Sequence, residues 1–410
     1  MEKMLLQPLK VGEFNLPNRV IIQPMEGCDG ELNGAISDLT RRRYLRFARS
    51  GVSIIWFEAT SVCPEGRSNP RQLYLCEETK ESYRVLIQDM KKECKNLYGY
   101  EPVIVVQLNH SGRQSRPVDK PRAIMGSHNE YLNKMKPVTE DAVYATEEYL
   151  DSLPDLFVKA AKLAVEVGFD AIDVKNCHGY LFNEMMGAYM RDDKYGGESI
   201  DNRARLHLDS FKKVMDAVGD KVMVTTRFGA YDNFPEKFGF GKEDENGEPD
   251  LTEAYYVIDK LVKMGLKMIN ITIGNPYVNP HVNRPYKVAS PEKGEIGVAR
   301  IHKITRAIQQ HFKDLVVISS GMTYDAVNAM DEAEKMLEDG STTLAGFGRM
   351  AFAYPDFLQD YIKTGKLDPK KVCLTCGNCT KMMRAGGVAG CPVRDTAFYM
   401  PIFKEVMAKK

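Results

Sequence analysis

The densest chemistry in the 410-residue chain lies near its end, where Cys373, Cys376, Cys379 and Cys391 follow the spacing C-x2-C-x2-C-x11-C, with Pro392 after the last. The other five cysteines, Cys28, Cys63, Cys76, Cys94 and Cys177, are scattered. In a large chain that reads as cytoplasmic, such crowding points to a metal site rather than to disulfides. Zinc ribbons use two separated CxxC pairs, so the close triplet departs from structural zinc, which stays as the alternative. A second concentration is Asp173-Val174-Lys175-Asn176-Cys177-His178-Gly179-Tyr180. Lys175, His178 and Tyr180 place an ammonium, an imidazole and a phenol close together, groups that donate hydrogen bonds and carry protons.

These groups need a scaffold that holds them in one place. β-Branched or apolar runs recur at 20–22, 52–57, 103–106, 171–174, 222–226, 268–273, 315–318 and 342–346. Such runs read as buried parallel strands. Amphipathic stretches at 38–49, 153–167, 200–218, 252–264, 298–311 and 323–338 lie between them, many opened by an acidic or hydroxyl residue in an N-cap position. Strand and helix alternate about eight times, which predicts an α/β chain folded as a (β/α)8 TIM barrel. An open doubly wound sheet is the competitor, but no Gly-x-Gly-x-x-Gly follows an early strand. Long connections at 109–142, 229–250 and 274–295 follow strands, on the barrel face where active sites are built. The expected division is a barrel over 1–365 and a short cysteine-rich segment over 366–410, too small for a core of its own.

Composition narrows the class. Hydrophobic residues make up 43% and charged residues 27%, an ordinary globular mix. Lys+Arg and Asp+Glu both number 56, so net charge gives no sign of a nucleic-acid or membrane-surface partner. The N-terminal stretch lacks a signal-peptide pattern and no apolar run approaches a membrane span, so a cytoplasmic location is expected.

Several strand-end motifs converge on one resemblance, to the old yellow enzyme family of FMN-dependent reductases. Asn18-Arg19-Val20-Ile21-Ile22-Gln23-Pro24-Met25 resembles the family's first strand, and Gln107-Leu108-Asn109-His110-Ser111-Gly112-Arg113 its third-strand signature. His178-Gly179-Tyr180-Leu181, followed by Arg191-Asp192-Asp193-Lys194-Tyr195-Gly196-Gly197 and Asn202-Arg203-Ala204-Arg205, resembles its longest motif. Gly346-Phe347-Gly348-Arg349 with Pro355-Asp356 is similar to its last strand and helix start, and the likeness covers about residues 5 to 362. It implies that Gln107 and Arg227 serve the flavin ring, that Pro24, Met25 and Ala59 lie against it, and that Gly321, Gly348 and Arg349 hold the phosphate. Taken singly, each of these reads equally well as barrel packing or a turn glycine.

In the family, two residues three apart at the end of strand four, commonly His with His or Asn, bind the substrate oxygen, and a Tyr two residues later protonates carbon. Here the pair is Lys175 with His178, and the Tyr is Tyr180. Lys175 departs from the pattern; an ammonium binds a carboxylate or polarises a ketone more strongly than a neutral imidazole does. The plainer reading makes Lys175 a strand-end residue paired with a carboxylate. Glu26 also departs, standing where many relatives carry Thr or Cys. His281 and Arg284, in the loop after strand six, are further substrate-binding candidates beside the plain alternative of an ordinary loop His.

The cysteine segment resembles the [4Fe–4S] segment that follows the barrel in 2,4-dienoyl-CoA reductase and trimethylamine dehydrogenase, and Cys-Pro is frequent in such clusters. The resemblance therefore implies FMN and a [4Fe–4S] cluster held by Cys373, Cys376, Cys379 and Cys391. The implied activity is reduction of a carbon–carbon double bond conjugated to a carbonyl, in an enone, enoate or enoyl thioester. NAD(P)H, an electron-donor protein or a partner flavoprotein subunit are the candidate donors, and homo-oligomerisation is left open. Two other readings stand beside it: amine oxidation with electrons leaving through the cluster, and a non-catalytic electron-transfer subunit. An ammonium substrate calls for an aromatic cage, and the single Trp, Trp56, lies in a predicted strand.

Overall fold

The computed structural model describes residues 3–409. Its eight apolar runs form β1 (Val20–Ile22), β2 (Ile54–Ser61), β3 (Val103–Asn109), β4 (Ala171–Val174), β5 (Met223–Gly229), β6 (Met268–Thr272), β7 (Val316–Ser319) and β8 (Leu344–Phe347). Each pairs in parallel with the next and β8 pairs with β1, closing the barrel. Nearly every strand residue is buried, because one face meets the barrel interior and the other meets helices. The (β/α)8 expectation holds.

The outer ring is α1 (Asp38–Ala48), α2 (Lys80–Tyr98), α3 (Glu147–Val167), α4 (Ile200–Val218), α5 (Thr252–Lys263), α6 (Gly294–His311), α7 (Ala329–Glu338) and α8 (Phe357–Thr364). Caps set several ends: the Ser37 hydroxyl accepts from Thr40 N at the start of α1, and Gly168, at φ 99°, terminates α3. The main core lies between strands and helices. A smaller one fills the lower barrel, where Val11 and Leu16 of the hairpin Leu9–Val11/Phe14–Leu16 pack with Ile21, Ile54, Trp56 and Val105.

Differences from the sequence reading are local. Helix α2 was not anticipated; its apolar stripe Tyr83, Leu86, Ile87, Met90 and Cys94 is thin and set among charged residues. The stretch expected as a helix from 323 begins instead as a 3-10 turn over Met322–Asn328 that breaks at Ala326, φ 51°, before α7. Strand β2 runs past its apolar stretch through Glu58, Thr60 and Ser61, with a register shift between Trp56 and Ala59 that sets Ala59 beside Gln107.

After α8 the chain folds back over the barrel mouth with α9 (Asn378–Arg384) and α10 (Thr396–Ala408). Cys373 and Ala389 join the barrel's core rather than forming another. Asp395 pairs with Arg42 and Arg46 of α1, and Ala389 N donates to Gly27 O at 2.6 Å. Among the described residues, no helix is long and apolar enough to cross a membrane.

Candidate active site

Strand ends and the segment 379–389 enclose a cavity of about 410 Å³ at the C-terminal face of the barrel. That size lies within the ordinary range of ligand pockets. Its wall contains Pro24, Met25, Ala59, Gln107, Arg227, Gly321, Gly348 and Arg349, together with Lys175, His178, Tyr180 and Arg284. Thus all the residues expected to hold the flavin meet in one place. His281 is not in this wall. It lies in the single helical turn Pro280–Asn283, with its backbone carbonyl near Gly297 of α6.

The floor is built on Asp173, the inward residue of β4. Its carboxylate accepts from Trp56 Nε1 at 2.8 Å, Gln107 Nε2 at 2.6 Å and Arg227 N at 2.7 Å. Those three donors stabilise the charged form, yet burial outweighs them and raises Asp173 to about 6. Asp173 thereby fixes Gln107. Arg227, from β5, reaches Pro24 O with Nη1 at 3.3 Å, while its buried Nε has no hydrogen-bond partner among the described residues. An orphaned buried guanidinium N–H costs on the order of 1–3 kcal/mol or more unless a ligand accepts it. A flavin carbonyl or ring nitrogen would supply such an acceptor, and Gly321, Gly348 and Arg349 stand in the wall of the same cavity. The residues present fit FMN.

Strand β4 ends at Val174, and the next residues turn sharply. His178 at φ 68° and Gly179 at φ 66° are both left-handed, which sends the chain back so that Tyr180 faces the cavity. For His178 this costs of order 1 kcal/mol or more. At Gly179 a Cβ would lie 1.9 Å from Asn275 Nδ2, so only glycine fits. The His178 ring reaches Thr272 Oγ1 at 3.2 Å, and burial pushes its pKa well below the usual histidine value, leaving a neutral imidazole at neutral pH. The Lys175 ammonium stands 3.8 Å from the centre of the Tyr180 ring, and burial lowers Lys175 to about 8.

The Glu26 carboxylate is turned toward Tyr180. Its Oε2 accepts from the Tyr180 hydroxyl at 3.1 Å, and Ser68 and Asn69 bind its Oε1. The Tyr180 oxygen also lies 2.8 Å from the Tyr277 hydroxyl. Burial, then the Glu26 charge, drive the Tyr180 pKa well above its ordinary value, so Tyr180 is a neutral phenol throughout the physiological range. Tyr277, Lys136 and Arg384 in the cavity wall were not anticipated. They belong to the long connections after β3 and β6 and to α9, where no periodicity marks an inward residue.

The four cysteines of the terminal segment, all free thiols, line a second, smaller cavity with Arg349 and Phe352. Cys379, Arg349 and Phe352 belong to the walls of both cavities. Among the described residues, no group of three or more His, Cys, Asp or Glu is gathered closely enough to hold a metal ion. The segment does bring all four thiols to the wall of one small cavity.

The profile of the NADH:flavin oxidoreductase / NADH oxidase family matches residues 4–366. An NADPH dehydrogenase of Clostridium acetobutylicum is 33% identical over 211 residues, covering 50% of this chain and 56% of its own. An NADH oxidase of Thermoanaerobacter brockii is 24% identical over 377 residues, covering 90% of this chain and 52% of its own. The chain thus spans about half the length of these two relatives. Among solved structures, a 2-naphthoyl-CoA reductase in complex with 2-naphthoyl-CoA shares the fold over 99% of this chain and 58% of its own, with a TM-score of 0.76 at 16% identity.

Proposed function

Because this chain belongs to the NADH:flavin oxidoreductase / NADH oxidase family, we propose that it is an FMN-dependent ene-reductase, acting on a double bond conjugated to a carbonyl. The observation that carries the reading is the convergence of Lys175, His178 and Tyr180 on the cavity whose remaining wall fits a flavin. FMN bound there supplies the hydride that adds to the β-carbon of the substrate. Gln107, held by Asp173, and Arg227, with its free Nε, bind the ring; Gly321, Gly348 and Arg349 receive the phosphate. Lys175 and His178 donate to the substrate oxygen, stabilising the negative charge that develops on it. Tyr180, kept protonated by burial, transfers its hydroxyl proton to the α-carbon.

Cys373, Cys376, Cys379 and Cys391 are the residues that would hold a [4Fe–4S] cluster, whose chemistry there would be one-electron transfer. Support comes from the shared wall, where Cys379 borders both cavities. The names of the two curated relatives make a nicotinamide nucleotide the first donor to try, with a one-electron carrier protein the second. Amine oxidation is disfavoured by the wall itself: Lys175, Arg227, Arg284 and Arg349 make it cationic, against a single acid, Glu26, in the same lining. A cytoplasmic location remains the reading of the sequence.

The deciding experiment is anaerobic. Purified holoprotein is photoreduced and mixed with enones, enoates and enoyl thioesters while flavin reoxidation is followed. Reoxidation with a saturated product is expected for one class; a flavin that no unsaturated carbonyl reoxidises would remove the assignment.

A further inference from the structure

Protonation by a buried phenol leaves a question of supply: Tyr180 is 5% exposed and must recover a proton after each turnover. Two groups touch its oxygen. Glu26, as a carboxylate, only accepts, so the hydrogen of Tyr180 lies along the 3.1 Å contact to Glu26 Oε2. The 2.8 Å contact must then run the other way, with the Tyr277 hydroxyl donating to the Tyr180 oxygen. Ser68 and Asn69 hold Glu26 from its far oxygen and keep it an acceptor. Tyr277 is fixed in turn, because its backbone N–H donates to Asn275 Oδ1 at 2.9 Å. Tyr277 is the open member of the pair, 38% exposed, while its hydroxyl turns inward to Tyr180.

From this arrangement, and resting on the ene-reductase reading, we infer that Tyr277 is the proton-entry residue of the site, passing solvent protons to Tyr180 through a two-tyrosine relay. On substrate binding the Tyr180 hydrogen rotates from Glu26 to the α-carbon. Its O–H bond breaks as the C–H bond forms, the electron pair for that bond coming from the enolate left by hydride addition. The resulting Tyr180 phenolate takes the Tyr277 proton, and Tyr277 takes one from water. No further oxidant or reductant is needed. Glu26 drives the return step, since a phenolate 3.1 Å from a carboxylate is strongly disfavoured. Lys175, 3.8 Å from the Tyr180 ring, moderates that cost while the carbon is being protonated. Arg384, Arg284 and the Cys28 thiol also act electrostatically on Tyr277, and Lys136 stands over its ring at 5.8 Å.

The test separates the first turnover from later ones. Tyr180 begins each experiment protonated, so replacing Tyr277 burdens chiefly its reloading. Tyr277→Phe holoprotein is photoreduced once and mixed with substrate, then run continuously under light intense enough that doubling it leaves the rate unchanged. Continuous turnover is expected to fall at least ten-fold further than the first turnover, within the roughly 10²–10⁴ range of a lost proton-transfer group. Tyr277→His, which restores a proton carrier, should recover most of the difference. Equal losses in both regimes, or no loss in either, would overturn the relay. A wild-type protein that reduces no unsaturated carbonyl in its first turnover would instead sink the ene-reductase reading.

Discussion

In the proposed reaction Tyr180 would owe its chemistry to its surroundings rather than to its own acidity. Burial and Glu26 hold it neutral, so a proton is always present to give. Tyr180→Phe is expected to slow substrate reduction by roughly 10²–10⁴ while leaving flavin reduction by its donor nearly unchanged. Stopped-flow traces of the two half-reactions check this, and an undiminished oxidative half-reaction would place the proton donor elsewhere. Lys175 behaves in the opposite sense. Desolvation favours its neutral form and lowers it to about 8, so the ammonium is present below that pH and lost above it. Substrate reduction should therefore fall as pH rises through about 8. Lys175→Arg, whose guanidinium stays charged, should remove that fall. A wild-type profile flat from pH 7 to 10 would make Lys175 the plain strand-end residue of the alternative reading. The sequence disclosed Lys175, His178 and Tyr180 because they sit together on one strand end. It hid Tyr277, whose contact with Tyr180 crosses two strands and a loop, and it left Glu26 undirected, since Ser68 and Asn69 that aim it come from the next βα connection.

The barrel elements were legible wherever apolar runs were long enough to be buried on both faces. All eight strands appear at the expected places, yet β2 outruns its apolar stretch because tertiary burial accommodates Glu58, Thr60 and Ser61. Glu58 is the clearest case: its carboxylate meets Arg43 at 2.6 Å, and Arg43 also binds Asp29. This cluster joins β2, α1 and the loop after β1, and Gly27 N donates to Glu58 Oε2 at 2.6 Å. Arg43→Met would strand two buried carboxylates and should destabilise the protein by roughly 3–5 kcal/mol. Urea unfolding measures it; a change below 1 kcal/mol would mean that water reaches the cluster. The terminal segment carries its own expectation. Anaerobically purified protein should contain about four irons per chain, and Cys376→Ser should lose them together with the cluster's visible absorbance. Zinc without iron in metal analysis would turn the segment into a structural staple. Its docking site, unlike its ligand spacing, had no sequence signature, because Arg42 and Arg46 look like ordinary surface residues of α1 until Asp395 is seen against them.

At the scale of the molecule, the same chain builds a floor from its barrel and a roof from its last residues. The loop that bears Met25 and Glu26 is bonded at Gly27 by Ala389, and α1 beside it is clamped by Asp395, 353 positions along from Arg42. These are among the longest-range contacts in the fold, and contacts of that separation carry the largest loop-closure cost and form late. Synthesis proceeds from the N-terminus at roughly 5–20 residues per second, so a nascent barrel waits for its roof after its strands have been made. Throughout that interval the cavity lies open to water, its acid loop untied. The chamber is thus unfinished until the segment carrying Ala389 and Asp395 has docked, and that docking sets when chemistry in it could begin.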